Sequence, residues 1–224
     1  MAQVWSVVVA GGSGQRFGTL KQFALLADRT VVEWAVAACR ASSSGVVLVL
    51  PPGAAAGPGD RDSDRDRDRD YGADVVVAGG ATRTESVRHG VAAVPETAEV
   101  IVVHDAARPL ASEALFRAVI AAVTTGGAGG AVPGLPLSDT IKVVDGSQRV
   151  TATLDRAALV AVQTPQAFDA ALLRRAHSEG AEATDDAALV EALGATVRVV
   201  PGEPHNLKIT TPADLDTAEH LLRG

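Results

Sequence analysis

Residues 4–23 read VWSVVVAGGSGQRFGTLKQF, an apolar β-branched run that passes directly into a glycine-rich turn. A strand followed by such a turn is typical of α/β proteins that offer backbone N–H groups to a phosphate. Two cations, Arg16 and Lys21, lie just beyond the first glycines. The stretch therefore predicts a buried strand whose carboxyl end opens into an anion-binding site.

The same alternation continues along the chain. Further β-branched runs, typical of buried parallel strands, occupy 46–50, 74–78, 100–105 and 196–200. Apolar residues at helical spacing occupy 30–41, 82–94 and 112–123. This order predicts an α/β fold with a doubly wound, mostly parallel sheet and right-handed crossovers.

The predicted topology indicates where a ligand binds. In such sheets the ligand lies outside the carboxyl ends of the strands. The glycine loop, GGATR (79–83) and HDAARP (104–109) each stand at the end of a predicted strand. Three separate stretches are therefore expected at one edge of the sheet.

Two segments break the alternation. Residues 51–72 are rich in Pro and Gly and then alternate Arg with Asp, which favours a flexible surface loop because such a segment cannot bury apolar area. Residues 139–156 contain two alternating β-runs around Asp145 and Gly146, a pattern that predicts a hairpin. We therefore expect one domain, 1–224, with a loop at about 51–72 and a β-arm at about 138–157.

Composition narrows the class of protein. The formal charge of −7 argues against nucleic-acid and membrane-surface partners, which require basic surface. No apolar stretch approaches the ~20 residues of a membrane span, and residue 4 already begins a strand with no signal-peptide pattern before it. The single cysteine, Cys39, fits a reducing compartment. A soluble cytoplasmic protein is expected.

The glycine loop matches none of three common motifs. A dinucleotide fingerprint requires glycine where Phe17 stands, a nucleophile elbow requires glycine where Gln15 stands, and the G-K-[ST] of a P-loop is missing. What remains is a glycine turn followed by two cations, which suits a triphosphate. A plain strand-to-helix turn with solvated charges is the alternative.

No metal-binding histidine or cysteine spacing is present. Asp105 stands at the end of a strand, where a carboxylate suits the hard cation that accompanies a triphosphate. Alternatively, Asp105 organises the turn that follows it. His104 is interpreted as a residue of the strand end rather than a ligand.

Several motifs together resemble the 2-C-methyl-D-erythritol 4-phosphate cytidylyltransferase family. They occur in order as GGSGQRFG with KQ, GGATRTESV, VHDAARP, DTIK, LDR, TPQAF, ATDDA and NLKITTPADL. HDAARP with TPQ is fairly specific to this family and its close relatives. The resemblance covers nearly the whole chain and implies a Rossmann-like fold, CTP and Mg²⁺ as requirements, and a homodimer whose β-arm embraces its partner.

The resemblance also implies roles for individual residues. Arg16 and Lys21 would contact the triphosphate and stabilise the transition state. Lys208 and Arg156 would position the sugar phosphate, with Arg156 supplied by the neighbouring subunit's arm. Residues assigned to the nucleotide are Ala10, Gly11, Gly12, Gly14, Gly79, Gly80, Ser86 and Asp105. Residues assigned to the acceptor are Asp105, Arg108, Thr140, Thr164 and Thr184, with Asp105 also assigned to the metal.

Each role has a structural alternative at this stage. Arg156 can pair with a carboxylate, and Lys208 can be a solvated residue at the end of a strand-like HNLKI (205–209). Thr184 can cap the following helix, Thr164 can be a turn residue, and Arg108 can brace its loop.

Three functions remain open, and the failed dinucleotide fingerprint disfavours a fourth, a flavin or nicotinamide oxidoreductase. The leading one is cytidylyl transfer to methylerythritol phosphate. A related enzyme transfers CMP to ribitol 5-phosphate with similar loops, and the third alternative is a nucleotide-binding regulator without catalysis.

Overall fold

The structure is a computed structural model that describes residues 2–11, 20–52, 71–178 and 182–223. The predicted flexible segment falls almost entirely in 53–70, outside the described residues. Gly12, Gly14 and Arg16 of the glycine loop lie outside them as well.

The described strands include every predicted β-branched run and several that were not predicted. They are β1 (Val4–Val9), β2 (Leu25–Leu26), β3 (Arg29–Thr30), β4 (Gly45–Leu50), β5 (Val75–Ala78), β6 (Val100–Asp105), β7 (Gly130–Pro136), β8 (Ile141–Val144), β9 (Val150–Leu154), β10 (Val160–Val162), β11 (Gln166–Asp169) and β12 (Val197–Pro201). Eight of them form one sheet in the order β10-β7-β11-β6-β1-β4-β5, with β12 also paired to β7.

The sheet is mostly parallel, as predicted. Strand β1 lies in its middle, parallel to β4 on one side and to β6 on the other. The chain therefore leaves β1 in one direction and returns on its other side, which creates a crevice at the carboxyl ends of these strands. Val9, the last residue of β1, lies opposite Asp105, the last residue of β6.

Six α-helices are described, and they cover both faces of the sheet. They are α1 (Val31–Arg40), α2 (Arg83–Ala92), α3 (Glu113–Thr124), α4 (Ala170–Ser178), α5 (Asp186–Ala192) and α6 (Pro212–Arg223). The first three begin where a hydroxyl can accept a backbone N–H: Thr30, Thr82 and Ser112 are their N-caps. None of the described helices combines the length and apolar character that a membrane crossing requires.

The core is built mainly from Val, Ala and Leu side chains, with Phe116 and Phe168 as its largest members. One cluster lies between the sheet and helices α1 and α3, and a second lies between the sheet and helices α2, α4 and α5. Close packing depends on Gly90 of α2, because a Cβ there would lie 2.4 Å from Cγ1 of Val7 and 2.8 Å from Cγ2 of Val49. The core thus holds α2 tightly against β1 and β4.

The predicted hairpin is present, with β8 and β9 paired antiparallel in a separate two-stranded sheet. Its connection is longer than a two-residue Asp-Gly turn. Residues 145–149 form the loop, in which Asp145 accepts hydrogen bonds from the backbone N–H groups of Ser147 and Arg149.

Three features differ from the sequence prediction. Strand β7 was not predicted, because its sequence GAVPGLP contains Pro and Gly, which are unusual inside a central strand. Strands β10 and β11 pair antiparallel with their neighbours and were not predicted either, because they are short and β11 (QAFD) lacks β-branched residues. The strand-like interpretation of 205–209 is wrong. There the Asn206 side chain donates to the Thr164 carbonyl at 2.9 Å and the Asn206 carbonyl accepts from Arg108 at 2.7 Å, so side chains satisfy groups that a strand would pair.

Candidate active site

A cavity of about 350 Å³ opens at the carboxyl ends of the central strands, where the topology predicts a ligand. It is lined by the residues that follow β1, by the start of α2, by the end of β6 and by the segment that precedes α6. Of the predicted residues, those that line it are Ala10, Gly11, Lys21, Gly80, Ser86, Asp105 and Lys208. We refer to it as the main cavity.

Two glycines let the backbone come close to α2. A Cβ on Gly79 would lie 2.8 Å from Oγ of Ser86, and a Cβ on Gly80 would overlap the Glu85 side chain at 2.2 Å. The Ser86 hydroxyl accepts from the Gly80 N–H at 3.1 Å and donates to the Thr82 carbonyl at 2.8 Å. Gly79 therefore lets the backbone pass close to Ser86 and to the Leu50 carbonyl, where the turn brings the N-terminus of α2 to the main cavity.

Lys21 and Gln22 tie the segment after the glycine loop to the rest of the site. Nζ of Lys21 donates to the Ile209 carbonyl at 2.7 Å, across 188 residues of chain. Nε2 of the buried Gln22 donates to the Ala10 carbonyl at 2.9 Å. The ammonium group of Lys21 is thus held next to the segment that carries Lys208.

Asp105 lies between two cations. Its Oδ2 accepts from Nζ of Lys208 at 2.6 Å, and its Oδ1 lies 3.3 Å from both Nε and Nη2 of Arg83. Burial alone would raise the pKa of Asp105, but the charges of Arg83 and Lys208 outweigh it and hold this pKa well below its usual range. Asp105 is therefore ionised, and Lys208 is ion-paired to it although its own side chain stays partly exposed to solvent.

A chain of hydrogen bonds fixes the backbone at Asp105. The Asp105 N–H donates to Oγ1 of Thr164 at 3.0 Å, so the Thr164 hydroxyl is free to donate to Nδ1 of His104 at 3.1 Å. Nε2 of His104 then donates to the Arg108 carbonyl at 3.0 Å. Burial lowers the pKa of His104 to about 4, which agrees with a neutral ring protonated on Nε2.

A smaller cavity of about 150 Å³ lies beside the main one and shares three of its side chains, Arg83, Asp105 and Lys208. We refer to it as the second cavity. Its other predicted residues are Arg108, Thr164 and Thr184. Arg108 also donates to the Asn206 carbonyl, so it both braces its loop and lines this space.

One structural alternative is wrong. Thr184 does not cap α5, because the N-cap is Asp185, whose Oδ1 accepts from the Ala188 N–H at 3.0 Å. An aspartate side chain is among the best acceptors for the free N–H groups at the start of a helix, which favours Asp185 as the cap. Thr184 instead lines the second cavity.

Arg156 and Thr140 are not brought to either cavity within this chain. Both are exposed and stand at the base of the hairpin, just before β8 and just after β9, and neither lines the main or the second cavity. Arg156 donates instead to the Ser138 carbonyl. Their assignment to the site remains a prediction that requires another subunit.

Arg83 is the residue that the sequence analysis missed. It lines both cavities and contacts Asp105 as well as Asp186, whose Oδ2 lies 2.9 Å from Nη1. A signal was present, because a cation in the first turn of a helix opposes the macrodipole and needs an anionic partner elsewhere. Burial would lower the pKa of Arg83, but Asp186 and Asp105 raise it.

Within the described residues no group of three or more His, Cys, Asp or Glu side chains is arranged to hold a metal ion. Asp105 is one carboxylate at the main cavity. A single carboxylate fits Mg²⁺ only in the form in which substrate phosphates and water supply the other ligands.

The chain matches known proteins over almost its whole length. A protein-family model described as 2-C-methyl-D-erythritol 4-phosphate cytidylyltransferase matches residues 4–224. The chain is 42% identical over 223 residues to the bifunctional enzyme IspD/IspF of Solidesulfovibrio magneticus, covering 95% of this chain and 55% of that protein. It is 38% identical over 227 residues to the 2-C-methyl-D-erythritol 4-phosphate cytidylyltransferase of Nostoc punctiforme, with 98% of each covered.

Solved structures of the same family resemble this chain in fold. The crystal structure of 2-C-methyl-D-erythritol 4-phosphate cytidylyltransferase from Thermus thermophilus superimposes with a TM-score of 0.77 at 39% identity, covering 97% of this chain and 98% of that one. The predicted α/β fold with a mostly parallel sheet is confirmed. The chain spans about half the length of the bifunctional curated relatives that it matches.

Proposed function

The chain belongs to the 2-C-methyl-D-erythritol 4-phosphate cytidylyltransferase family, and from this premise we propose that it transfers CMP from CTP to 2-C-methyl-D-erythritol 4-phosphate. Pyrophosphate is the second product, and the reaction belongs to isoprenoid precursor biosynthesis. The observation that carries the proposal is the meeting of Lys21 and Lys208 at one cavity. The chain has three lysines, Lys21, Lys142 and Lys208, and two of them line this space.

The chemistry requires positive charge more than it requires a base. A phosphate oxygen of the acceptor attacks the α-phosphorus of CTP, and the bond to pyrophosphate breaks. The acceptor phosphate is already ionised at neutral pH, whereas negative charge builds up on the α-phosphate and the leaving group. Cations fixed in advance around that position stabilise the transition state, and alignment supplies much of the remaining effect.

Each side of the site has its own cations in this proposal. Arg16 and Lys21 hold the triphosphate near the glycine loop, together with backbone N–H groups of residues 10–14. Lys208 holds the acceptor phosphate, because it lines both the main and the second cavity. Arg108, Thr164 and Thr184 then surround the polyol in the second cavity.

Asp105 is the residue that would hold Mg²⁺ together with the nucleotide. When bound, the ion supplies charge neutralisation on the phosphate oxygens. Asp105 is held in its ionised form by Lys208 on one oxygen and Arg83 on the other. It also lines the main cavity, and both features support this role.

We also propose a homodimer in which the β-arm reaches the partner's site. Apolar side chains of the arm are solvent-exposed in the single chain: Val143 is 41%, Val150 is 59% and Leu154 is 42% exposed. Burial of such residues favours association. Arg156 and Thr140 stand on the same arm, which supports their contribution to a neighbouring cavity. The buried, unpaired thiol of Cys39 supports a reducing, cytoplasmic location.

A direct assay tests the proposal. The purified chain is supplied with CTP, Mg²⁺ and either 2-C-methyl-D-erythritol 4-phosphate or ribitol 5-phosphate, and pyrophosphate release is measured. We expect turnover with the methylerythritol phosphate. Turnover with ribitol 5-phosphate alone would show that ribitol 5-phosphate, not the methylerythritol phosphate, is the acceptor. CTP binding without pyrophosphate release from either acceptor would identify a regulator instead.

A further inference from the structure

The guanidinium group of Arg83 forms part of the wall that the main cavity and the second cavity share. All three of its nitrogens face carboxylates. Nε and Nη2 each lie 3.3 Å from Oδ1 of Asp105, and Nη1 lies 2.9 Å from Oδ2 of Asp186. The side chain is therefore clamped between the end of β6 and the start of α5.

Both carboxylates are fixed in turn. Asp186 is only 1% exposed, and its Oδ1 lies 3.1 Å from Nε2 of the buried His177. Asp105 holds Lys208 through its other oxygen, Oδ2. A continuous series of contacts thus runs from the buried interior of α4 and α5 to Lys208, which lines both cavities.

We propose that Arg83 is a positioning residue, which holds the Asp105 carboxylate so that Lys208 can leave it for the acceptor phosphate. The inference rests on the proposed function, because the acceptor phosphate is what Lys208 is expected to bind. Arg83 itself is not assigned a contact with substrate.

The physical reason lies in the charge that Lys208 leaves behind. An incoming phosphate competes with Asp105 for the ammonium group. If Lys208 were the sole side-chain cation on this buried carboxylate, its departure in the absence of a metal ion would leave an unpaired buried charge, which is strongly unfavourable. Arg83 removes that obstacle, because Asp105 keeps a charged partner on Oδ1 throughout.

A direct role of Arg83 in binding phosphate makes a different prediction. Three of its five N–H groups point at carboxylates, which leaves at most two for a ligand. If these two bind the triphosphate, loss of Arg83 must weaken CTP binding. If Arg83 acts through Asp105 and Lys208, acceptor binding is weakened instead.

The test compares Arg83→Gln, Arg83→Lys, Asp186→Asn and the double variant Arg83→Gln/Asp186→Asn. Calorimetry gives dissociation constants for CTP and for 2-C-methyl-D-erythritol 4-phosphate, and steady-state assays give kcat and KM. We expect Arg83→Gln to weaken acceptor binding about tenfold to a hundredfold and to leave CTP binding within about twofold, as expected of a misplaced binding group. Arg83→Lys keeps the positive charge but not the planar, forked guanidinium group, so its acceptor affinity should lie between those of Arg83→Gln and the wild type.

The double variant separates positioning from fold stability. It removes the charge of Asp186 as well, so that position carries no unpaired carboxylate, while an asparagine side chain there can still hydrogen-bond His177. If Asp186 acts only through Arg83, the double variant is no worse than Arg83→Gln alone. Recovery of wild-type acceptor affinity in the double variant would show that Arg83 merely neutralises Asp186, and the inference would be overturned.

Arg40→Gln is the matched control, because Arg40 also joins an aspartate, Asp74, to another group, the backbone carbonyl of Gly72, away from both cavities. It should bind both substrates like the wild type. Weaker CTP binding in Arg83→Gln, or unchanged acceptor affinity, overturns the inference even if the wild type is fully active. A wild type that neither binds nor uses any polyol phosphate overturns the proposed function and the inference with it.

Discussion

Lys21 and Lys208 show how much of the site depends on individual charges. Lys21 donates to the carbonyl of Ile209, the residue that follows Lys208, so the two ammonium groups belong to one piece of local structure. Lys208 is paired with Asp105 and lines both cavities, whereas Lys21 lines only the main cavity. Their substitutions are therefore expected to have different kinetic signatures.

Lys21→Ala is expected to lower kcat by about 10²–10³-fold with a smaller change in the acceptor KM, because it removes a cation that stabilises the transition state. Lys208→Ala is expected to raise the acceptor KM. Steady-state kinetics with each substrate varied in turn distinguishes the two. Lys142→Ala is unsuitable as a control if the arm forms the dimer, so Arg40→Gln serves here too. Wild-type rates in both alanine variants would refute the proposed electrostatic mechanism.

At the scale of elements, the ends of helices α2 and α6 carry the site. Helix α6 begins at Pro212 after Thr211, and Asp214 accepts from the N–H groups of Thr210 and Thr211 at 2.8 Å and 2.7 Å. We refer to these hydrogen bonds to Asp214 as the α6 cap. Because Thr210 lines the main cavity, the α6 cap also orders the segment that follows Lys208.

The α6 cap predicts a dependence of stability on pH. Hydrogen bonds from the Thr210 hydroxyl and the Thr210 backbone lower the pKa of Asp214 to about 2. Since an unfolded aspartate has a pKa of about 3.9, the stabilisation is complete above about pH 4 and is lost as the pH falls towards 2. Asp214→Ala should therefore lower the free energy of unfolding by about 1 kcal/mol at pH 7.

Urea unfolding of both proteins between pH 7 and pH 3 measures this difference, which should shrink at the acid end. Asp216→Ala, in the same helix but exposed, is the control and should change stability little at any pH. A difference that stays constant down to pH 3 would contradict the α6 cap.

Gly90 gives a second prediction at this scale. Alanine is normally better than glycine in a helix by about 1 kcal/mol, yet Gly90→Ala should destabilise the protein. The new Cβ meets two fully buried β-branched side chains, Val7 and Val49, which have little freedom to move away. We expect a net loss of up to about 2 kcal/mol in urea unfolding.

Gly146→Ala is the matched substitution for comparison, because a Cβ at that position meets nothing within 4 Å. It should change the free energy of unfolding by less than about 0.5 kcal/mol. An increase in stability for Gly90→Ala would mean that α2 can move away from the sheet.

At the scale of the whole molecule, the exposed apolar arm and the position of Arg156 predict a site shared between two copies. Mixing two inactive variants, each defective in a different one of these residues, tests whether the site is shared. Lys21→Ala and Arg156→Ala dimers are each expected to be nearly inactive. In a mixed dimer, the cavity that keeps Lys21 faces a partner that keeps Arg156, so one cavity of the two is complete.

Random exchange in an equal mixture makes about half of the dimers mixed, and it should restore about a quarter of the wild-type activity. Pyrophosphate release is measured after the exchange, with the oligomeric state followed by analytical ultracentrifugation. If the mixture stays as inactive as its components although exchange is complete, Arg156 does not act on a neighbouring cavity.

The sequence alone determined most of the sheet, the main helices and the edge at which the site lies. Strand and helix periodicity are local properties, and parallel order follows from their alternation, so β1, β4, β5, β6 and β12 were predictable. The cations Lys21 and Lys208 were found from their motifs. Strand β7 was not predicted, because Pro and Gly interrupt its apolar run. The antiparallel β10 and β11 were not predicted either, because their pairing depends on β6 and β7 rather than on their own short sequences.

Only the tertiary structure decided what the charges do to one another. Arg83, Asp105, Asp186 and Lys208 lie on four separate segments, and no spacing in the chain records that they meet. Burial makes these contacts strong, since a carboxylate removed from water must find cations, and only the folded chain determines which ones it finds. That is why Arg83 was missed, and why Lys208 is seen as ion-paired only once the chain is folded.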